Sequence, residues 1–308
     1  MRYRSLGRTG LTVSEIGLGC ASWWGMKAFS EAEAHRLVHA AIDGGVTFFD
    51  TGASYSHGEA EPRLGRALAR RSKDQLVIAS KAGTYHAGGG RIARDFSPAA
   101  IEASLQRSLR NLGVDALGLL QLHGPAAAEL SPPLLERLHS FKERGLVRAV
   151  GLNSFDPAVI DHAIALPVFD VVMVDYNVMR PEREPLIARA ATAGKGVLAG
   201  MALAMGHTGG QVARLRSPRD VWYALRALKN HRGDIARGKR FGFLHRLEGC
   251  TGSQAALAHV LSNPNVSSAV VGTTRMAHLI ENLGASGLTL PDDVRSAIAA
   301  AQRAAGPS

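Results

Sequence analysis

The feature that most constrains this chain is a rhythm: a short apolar run followed by a helix-length amphipathic stretch, repeated eight times. The apolar runs fall near Ile16–Cys20, Val46–Phe49, Leu76–Ser80, Ala116–Leu122, Val147–Leu152, Val171–Val174, Gly196–Ala199 and Ser268–Val271. They are nearly continuous rather than alternating, so each strand needs cover on both faces. Helix signals fill the intervals. Ser30 with Glu33 forms a capping box ahead of the stripe Ala34, Leu37, Val38, Ala41, Ile42, which Gly44-Gly45 ends. Ser97-Pro98, Pro132-Pro133 and Asp156-Pro157 open three more helices, and Gly113 closes the first of them. Eight such units predict a parallel sheet closed into a (β/α)₈ barrel. A doubly wound open sheet competes, but no Gly-x-Gly-x-x-Gly turn follows the first strand.

The expectation is one α/β domain over residues 1–308, with an N-terminal β-hairpin arm at Leu11–Ser14 and helices at 275–283 and 291–304 closing the chain. Residues 82–95 read as a glycine-rich loop. The rhythm breaks once, at 207–250, a basic insertion after the seventh strand. Ser217-Pro218 caps a helix there with Val221, Trp222, Leu225 and Leu228 on one side.

With 308 residues and 46% hydrophobic content, the chain suffices for one large domain. Cys20 and Cys250 form neither a disulfide framework nor a metal-ligand spacing, and no metal is expected. The start lacks a signal-peptide core and no stretch reaches membrane-span length, so a cytoplasmic location is expected. The net charge of +10 is concentrated in the insertion, where ten Lys and Arg stand against three acids. That segment suits a phosphate, an acidic substrate or a partner; a plain solvated basic face is an equal reading. No recognised nucleic-acid module accompanies it, so nucleic acid and membrane are not expected partners. Oligomeric state is not legible.

In a barrel of this kind, function sits at the C-terminal ends of the strands. There the sequence places Asp50, Lys81, His123, Asn153 and Asn177. Asp50 closes a buried run, and Tyr55 follows five residues later on the loop. Alone, that pair reads equally as catalytic or as a cap with an edge-covering ring. Four ionisable groups at or just past matching strand ends favour chemistry. A tyrosine is a poor acid at neutral pH, but a neighbouring Lys⁺ stabilises its anion, and an aspartate keeps the lysine charged. A histidine opposite can orient a carbonyl oxygen. The product is a positioned proton donor for a carbonyl that receives hydride, and hydride requires a cofactor.

The segments G-V-T-F-F-D-T-G-A-S-Y (45–55), S-K-A-G (80–83), L-L-Q-L-H (119–123), G-L-N-S-F (151–155) and G-T-T-R-M-A-H-L-I-E-N-L (272–283) resemble the aldo-keto reductase family over essentially the whole chain. The resemblance implies a TIM barrel binding an extended nicotinamide cofactor, NADP(H) rather than NAD(H). It implies a catalytic tetrad of Tyr55, Asp50, Lys81 and His123, with Tyr55 as general acid toward an aldehyde or ketone, sugar-like or anionic substrates included. A cofactor-sensing protein on the same barrel, like the potassium-channel β subunits, is the alternative.

The implied cofactor contacts are Asn153, Ser154, Met173, Tyr176, Gly272, Thr273, Thr274, Arg275, His278, Glu281 and Asn282. Arg275 is placed to read a 2′-phosphate. Trp23 and Trp24 fall where the family builds its substrate pocket, with Tyr85, His57 and Trp222 as weaker candidates. Three positions depart from the family pattern: Asn153-Ser154 reverses the usual order, Met173 stands where a glutamine is common, and Ala199-Gly200-Met201 lacks the aromatic that stacks on the nicotinamide.

Overall fold

In a computed structural model, which describes residues 1–21, 23–88, 91–204 and 236–305, the eight apolar runs form one closed parallel barrel. Its strands are β3 (Ile16–Gly19), β4 (Phe48–Asp50), β5 (Val77–Ala82), β8 (Leu119–His123), β9 (Val150–Asn153), β10 (Val171–Asp175), β11 (Gly196–Gly200) and β12 (Ser268–Gly272). Around the barrel they run β3-β4-β5-β8-β9-β10-β11-β12 and back to β3. The helices α1 (Glu31–Asp43), α2 (Ala60–Leu68), α3 (Pro98–Leu112), α4 (Pro132–Glu143), α5 (Pro157–Ala165), α6 (Glu184–Thr192), α7 (Gly252–Ser262), α8 (Met276–Leu283) and α9 (Asp292–Ala305) cover it.

The local signals work as the residues dictate. Ser30 and Glu33 exchange both capping hydrogen bonds, Ser97 caps α3 with Pro98 at its first position, and Gly113 ends α3 in the left-handed region at φ +62°. One expectation is corrected. The glycine-rich loop 82–95 holds an antiparallel hairpin, β6 (Thr84–His86) with β7 (Ile92–Arg94). Its short strands flank glycines that masked their β pattern.

Two apolar layers build the core. The larger lies between the strands and the helices and includes Leu37, Leu64, Leu105, Leu138, Val172 and Val174. The smaller fills the barrel interior with Phe48, Val77, Ala79, Leu119, Val171, Met173 and Leu198. The N-terminal hairpin β1 (Tyr3–Ser5) with β2 (Thr12–Ser14) plugs the lower end by adding Leu6, Leu11 and Val13 to that interior. Buried Glu15 anchors the plug. It accepts from Arg4, from the Ser286 hydroxyl at 2.9 Å and from the Gly287 amide at 2.7 Å, while Arg4 also donates to the carbonyls of Leu261, Asn263 and Val266.

Most of the expected insertion, Trp222 and the helix at 217–228 included, lies outside the described residues. Its distal part turns Phe241 and Leu244 into a third cluster with Val178, Ala255 and Ile298. No helix among the described residues is long and apolar enough to cross a membrane.

Tyr176, expected at the cofactor, lies instead in the outer core. Its hydroxyl donates to Glu184 at 2.9 Å, and its ring approaches His259. It follows Val174 on the outward-facing register, so strand alternation carries it away from the barrel mouth. Burial holds His259 neutral, with its pKa lowered to about 4. A histidine that charges more readily unfolded than folded loses stability as pH falls below its unfolded value of about 6.5, down to its folded value. His259 should therefore cost about 2 kcal/mol at pH 5 relative to pH 7. Urea melts at both pH values should show His259→Leu with a smaller acid loss than wild type; an identical loss would overturn the assignment.

Candidate active site

Side-chain alternation decides what reaches the barrel mouth. Asp50 lies two residues above inward Phe48, Lys81 two above Ala79, and Gln121 and His123 above Leu119. Register extends the same face through His123↔Asn153 and Asn153↔Met173. All four tetrad candidates thus come from neighbouring strands β4, β5 and β8 and the loop after β4.

Lys81 is fully buried. Its ammonium ion-pairs with Asp50 and donates to the Thr51 carbonyl at 3.0 Å. It also lies over the Tyr55 ring, 5.0 Å from its centre. Burial alone would lower the lysine pKa, but Asp50 and Tyr55 raise it above its ordinary value, so it stays charged. Burial likewise raises the Tyr55 phenol; Lys81 opposes this and Asp50 adds to it. The phenol is therefore protonated at neutral pH, with a cation against the ring that loses the proton.

The Tyr55 and His123 rings meet edge to face, with centroids 5.4 Å apart. His123 is held neutral: burial, then Lys81, brings its pKa down to about 3. Its Nδ1 lies 2.8 Å from the Thr84 hydroxyl, which is 3.0 Å from the Ser54 hydroxyl. When Thr84 donates to Nδ1, Nε2 carries the hydrogen and is the nitrogen that can donate to a substrate oxygen.

Several contributors were not singled out from sequence. Gln121 donates to the second Asp50 oxygen at 2.8 Å, so Asp50 is held on both sides. Its position two residues before His123 on one strand was the readable signal. A Cβ on Gly52 would lie 3.2 Å from the Tyr55 ring and 3.3 Å from Lys81 Cβ, so the close approach of loop to ring depends on that glycine. Thr84 and Ser54 act through hydroxyls on loop and hairpin, where no pattern marks them.

Ser56 and His57 follow Tyr55 with φ of +52° and +59°, a left-handed step that turns the chain sharply after the acid. His57 rests on His86 of the hairpin, with ring centroids 4.3 Å apart. Tyr85, on the same hairpin, is exposed. Trp24 needs correction as a pocket residue. It is fully buried against Phe29, its indole donating to the Thr273 carbonyl at 3.3 Å, because the loop after β3 folds back onto the loop after β12. Trp23 stays partly exposed.

Asn153 and Ser154 are buried at the upper end of β9. Asn177 bridges loops, donating to the Met201 carbonyl at 3.2 Å and accepting from Met179 at 3.0 Å. Arg275 precedes α8, whose first amides receive no side-chain cap. The Thr273 hydroxyl accepts from the Arg275 amide at 3.0 Å, and the exposed Arg275 guanidinium makes no hydrogen bond or ion pair among the described residues. Thr274 and His278 are partly exposed beside it, Gly272 is exposed, Glu281 is half-buried and Asn282 is buried. No group of three metal-ligating side chains converges among the described residues.

Comparison with known proteins agrees with the barrel fold. D-threo-aldose 1-dehydrogenase of a Pseudomonas species is 27% identical over 319 residues, covering 95% of both chains. A protein of Oryza sativa subsp. japonica named "Probable voltage-gated potassium channel subunit beta" is also 27% identical, over 92% of this chain and 91% of its own. The "Uncharacterized oxidoreductase YqkF" of Bacillus subtilis is 33% identical over 161 residues, and the match spans about half of that protein (51%). The fold of an aldo-keto reductase from Bacillus halodurans, in its holo form, superposes with a TM-score of 0.81 at 24% identity, covering 100% of this chain and 98% of that one. A model of the Aldo/keto reductase family matches residues 15–303. Running from the foot of the first barrel strand into the last helix, that match places the chain, an oxidoreductase by its kinship, in the aldo/keto reductase family.

Proposed function

We propose that this protein is an NADP(H)-dependent reductase that converts an aldehyde or ketone to the alcohol, with Tyr55 as the acid. The observation that carries the reading is the Tyr55 phenol, held between the buried Lys81–Asp50 pair and a neutral His123. The nicotinamide ring, when bound, supplies the hydride to the carbonyl carbon. The chain's own residues handle the oxygen. Nε2 of His123 donates to the carbonyl oxygen and fixes its direction. Tyr55 passes its phenolic hydrogen to that oxygen as negative charge develops there. Lys81 stabilises the tyrosinate left behind, and Asp50, tied down by Gln121, keeps Lys81 charged and in place. In alcohol oxidation the proton returns to Tyr55.

The residues fit a nicotinamide nucleotide. The uncapped amides at the start of α8 and the exposed Arg275, unpaired among the described residues, suit a phosphate. Asn153 and Ser154 suit a carboxamide. The kinship with D-threo-aldose 1-dehydrogenase supports sugars and other polyhydroxy carbonyls as substrates. The test is NADPH consumption by the purified protein across a panel of aldoses, aldehydes and ketones. Binding of NADPH with no consumption across the panel would favour the sensing role instead. Arg275→Ala should weaken NADPH at least tenfold more than NADH, measured by fluorescence titration; equal loss for both would remove Arg275 from 2′-phosphate recognition.

A further inference from the structure

Residues 23–30, in the loop after β3, form no helix or strand, so their backbone groups need other partners. Three of the loop carbonyls share one. Nη1 of Arg63, on α2, donates to the carbonyls of Trp24 at 2.9 Å, Met26 at 3.2 Å and Phe29. The Arg63 side chain is largely buried, and Glu31 meets its charge with a carboxylate oxygen 3.3 Å from Nε. The loop is fixed on its other side as well. Trp24 packs edge-on against Phe29, and its indole donates to the Thr273 carbonyl.

This loop lies against the turn that carries the acid. The Gly25 amide donates to the Ser56 hydroxyl oxygen at 2.9 Å. A Cβ on Gly25 would lie 2.6 Å from Glu59 Cβ and 2.8 Å from Ser56 Cβ, so only glycine lets the two segments lie this close. Ser56 directly follows Tyr55 and takes φ +52° and ψ +44°, a left-handed step that is costly for serine and persists where its surroundings hold it. His57 repeats the step. The bond from Gly25 grips the first of these two residues. Arg63 thus bears on Tyr55 from two directions. It belongs to the helix that the Tyr55 turn leads into, and it gathers the loop that braces the turn.

We infer that Arg63 is a positioning residue for Tyr55: by fixing the loop after β3 it holds the Ser56 step, and that step aims the phenol at the barrel mouth. This rests on the proposed role of Tyr55 as the acid. Arg63 moves no proton itself. Its contribution is the direction from which the proton is offered, and directional error in a reacting group is costly to rate.

The test uses the full-length protein labelled with ¹³C at the tyrosine ζ carbon, the Tyr55 resonance being assigned with Tyr55→Phe. In Arg63→Met the Tyr55 signal should broaden or split, while those of Tyr3 and Tyr176 stay in place. Its kcat for carbonyl reduction should fall by about tenfold to a hundredfold, with NADPH affinity held within about threefold. Arg63→Lys, which keeps a donor for the carbonyls, should fall between Arg63→Met and wild type. Ser56→Ala, which leaves the guanidinium and its bonds intact, should disturb the same signal and lower kcat by about threefold to tenfold. Adding it to Arg63→Met should cost less than about a further twofold, because both cut one connection. A purely structural Arg63 would lower the thermal midpoint yet leave the Tyr55 signal and kcat at wild-type values well below that midpoint. That result, or losses that multiply fully in the double variant, would overturn the inference and leave the proposed activity standing. Wild-type protein that consumes no NADPH across the panel would sink the proposed activity, and the Tyr55 signal would still decide whether Arg63 sets the ring.

Discussion

Tyr55→Phe should lower the rate of carbonyl reduction by about 10²–10⁴-fold while NADPH affinity stays within about twofold, the range for loss of one positioned general acid. The phenylalanine ring keeps the edge-to-face contact with His123 and the cation contact with Lys81, so the packing of the site survives. What disappears is the one acidic hydrogen that an incoming carbonyl oxygen can take. Lys81 cannot replace it, because Asp50 and the Thr51 carbonyl hold its ammonium. Neutral His123 has its Nδ1 committed to Thr84 and is a far weaker acid than its protonated form. Steady-state rates with NADPH and the best substrate of the panel, beside fluorescence titration of NADPH, make the comparison. A rate within tenfold of wild type would show that the proton comes from elsewhere.

Asp50→Ala should damage stability and turnover together. The change leaves the fully buried Lys81 cation without its counter-ion and removes the acceptor of the Gln121 amide. Breaking one side of a buried pair costs about 3–5 kcal/mol, more than such a pair gains over an apolar substitute. The double replacement Asp50→Leu with Lys81→Met should therefore recover most of the lost stability in urea melts and none of the turnover. If the double variant melts no later than Asp50→Ala, the buried charge is not the source of the loss. If it keeps turnover, the assigned role of Lys81 beside Tyr55 fails.

The barrel and the convergence of Asp50, Tyr55, Lys81 and His123 at its mouth were legible because both rest on short-period patterns. Continuous apolar strands require two-sided cover, and residues two apart share a face, so polar groups at strand ends announce the mouth. Tyr176 misled because it lies one step off that register: the same alternation that aims Met173 and Asp175 inward turns it toward Glu184. Trp24 misled because its place in sequence, after β3, does not reveal that the loop folds onto Thr273. Thr84 and Gly52 were invisible for a different reason. Each matters through one close contact with a partner distant in sequence or around a tight turn, and no periodicity records such contacts.

The plug at the lower end of the barrel bears on how the chain assembles during synthesis. Glu15 and Arg4 find their partners at residues 261–266 and 286–287, and β3 closes the barrel by pairing with β12. A ribosome delivers those partners last. Until then the N-terminal hairpin and the first strand keep an unpaired edge, and closure of so long a loop is slow. Nascent chains cut short before about residue 290 should remain open and prone to edge-to-edge association.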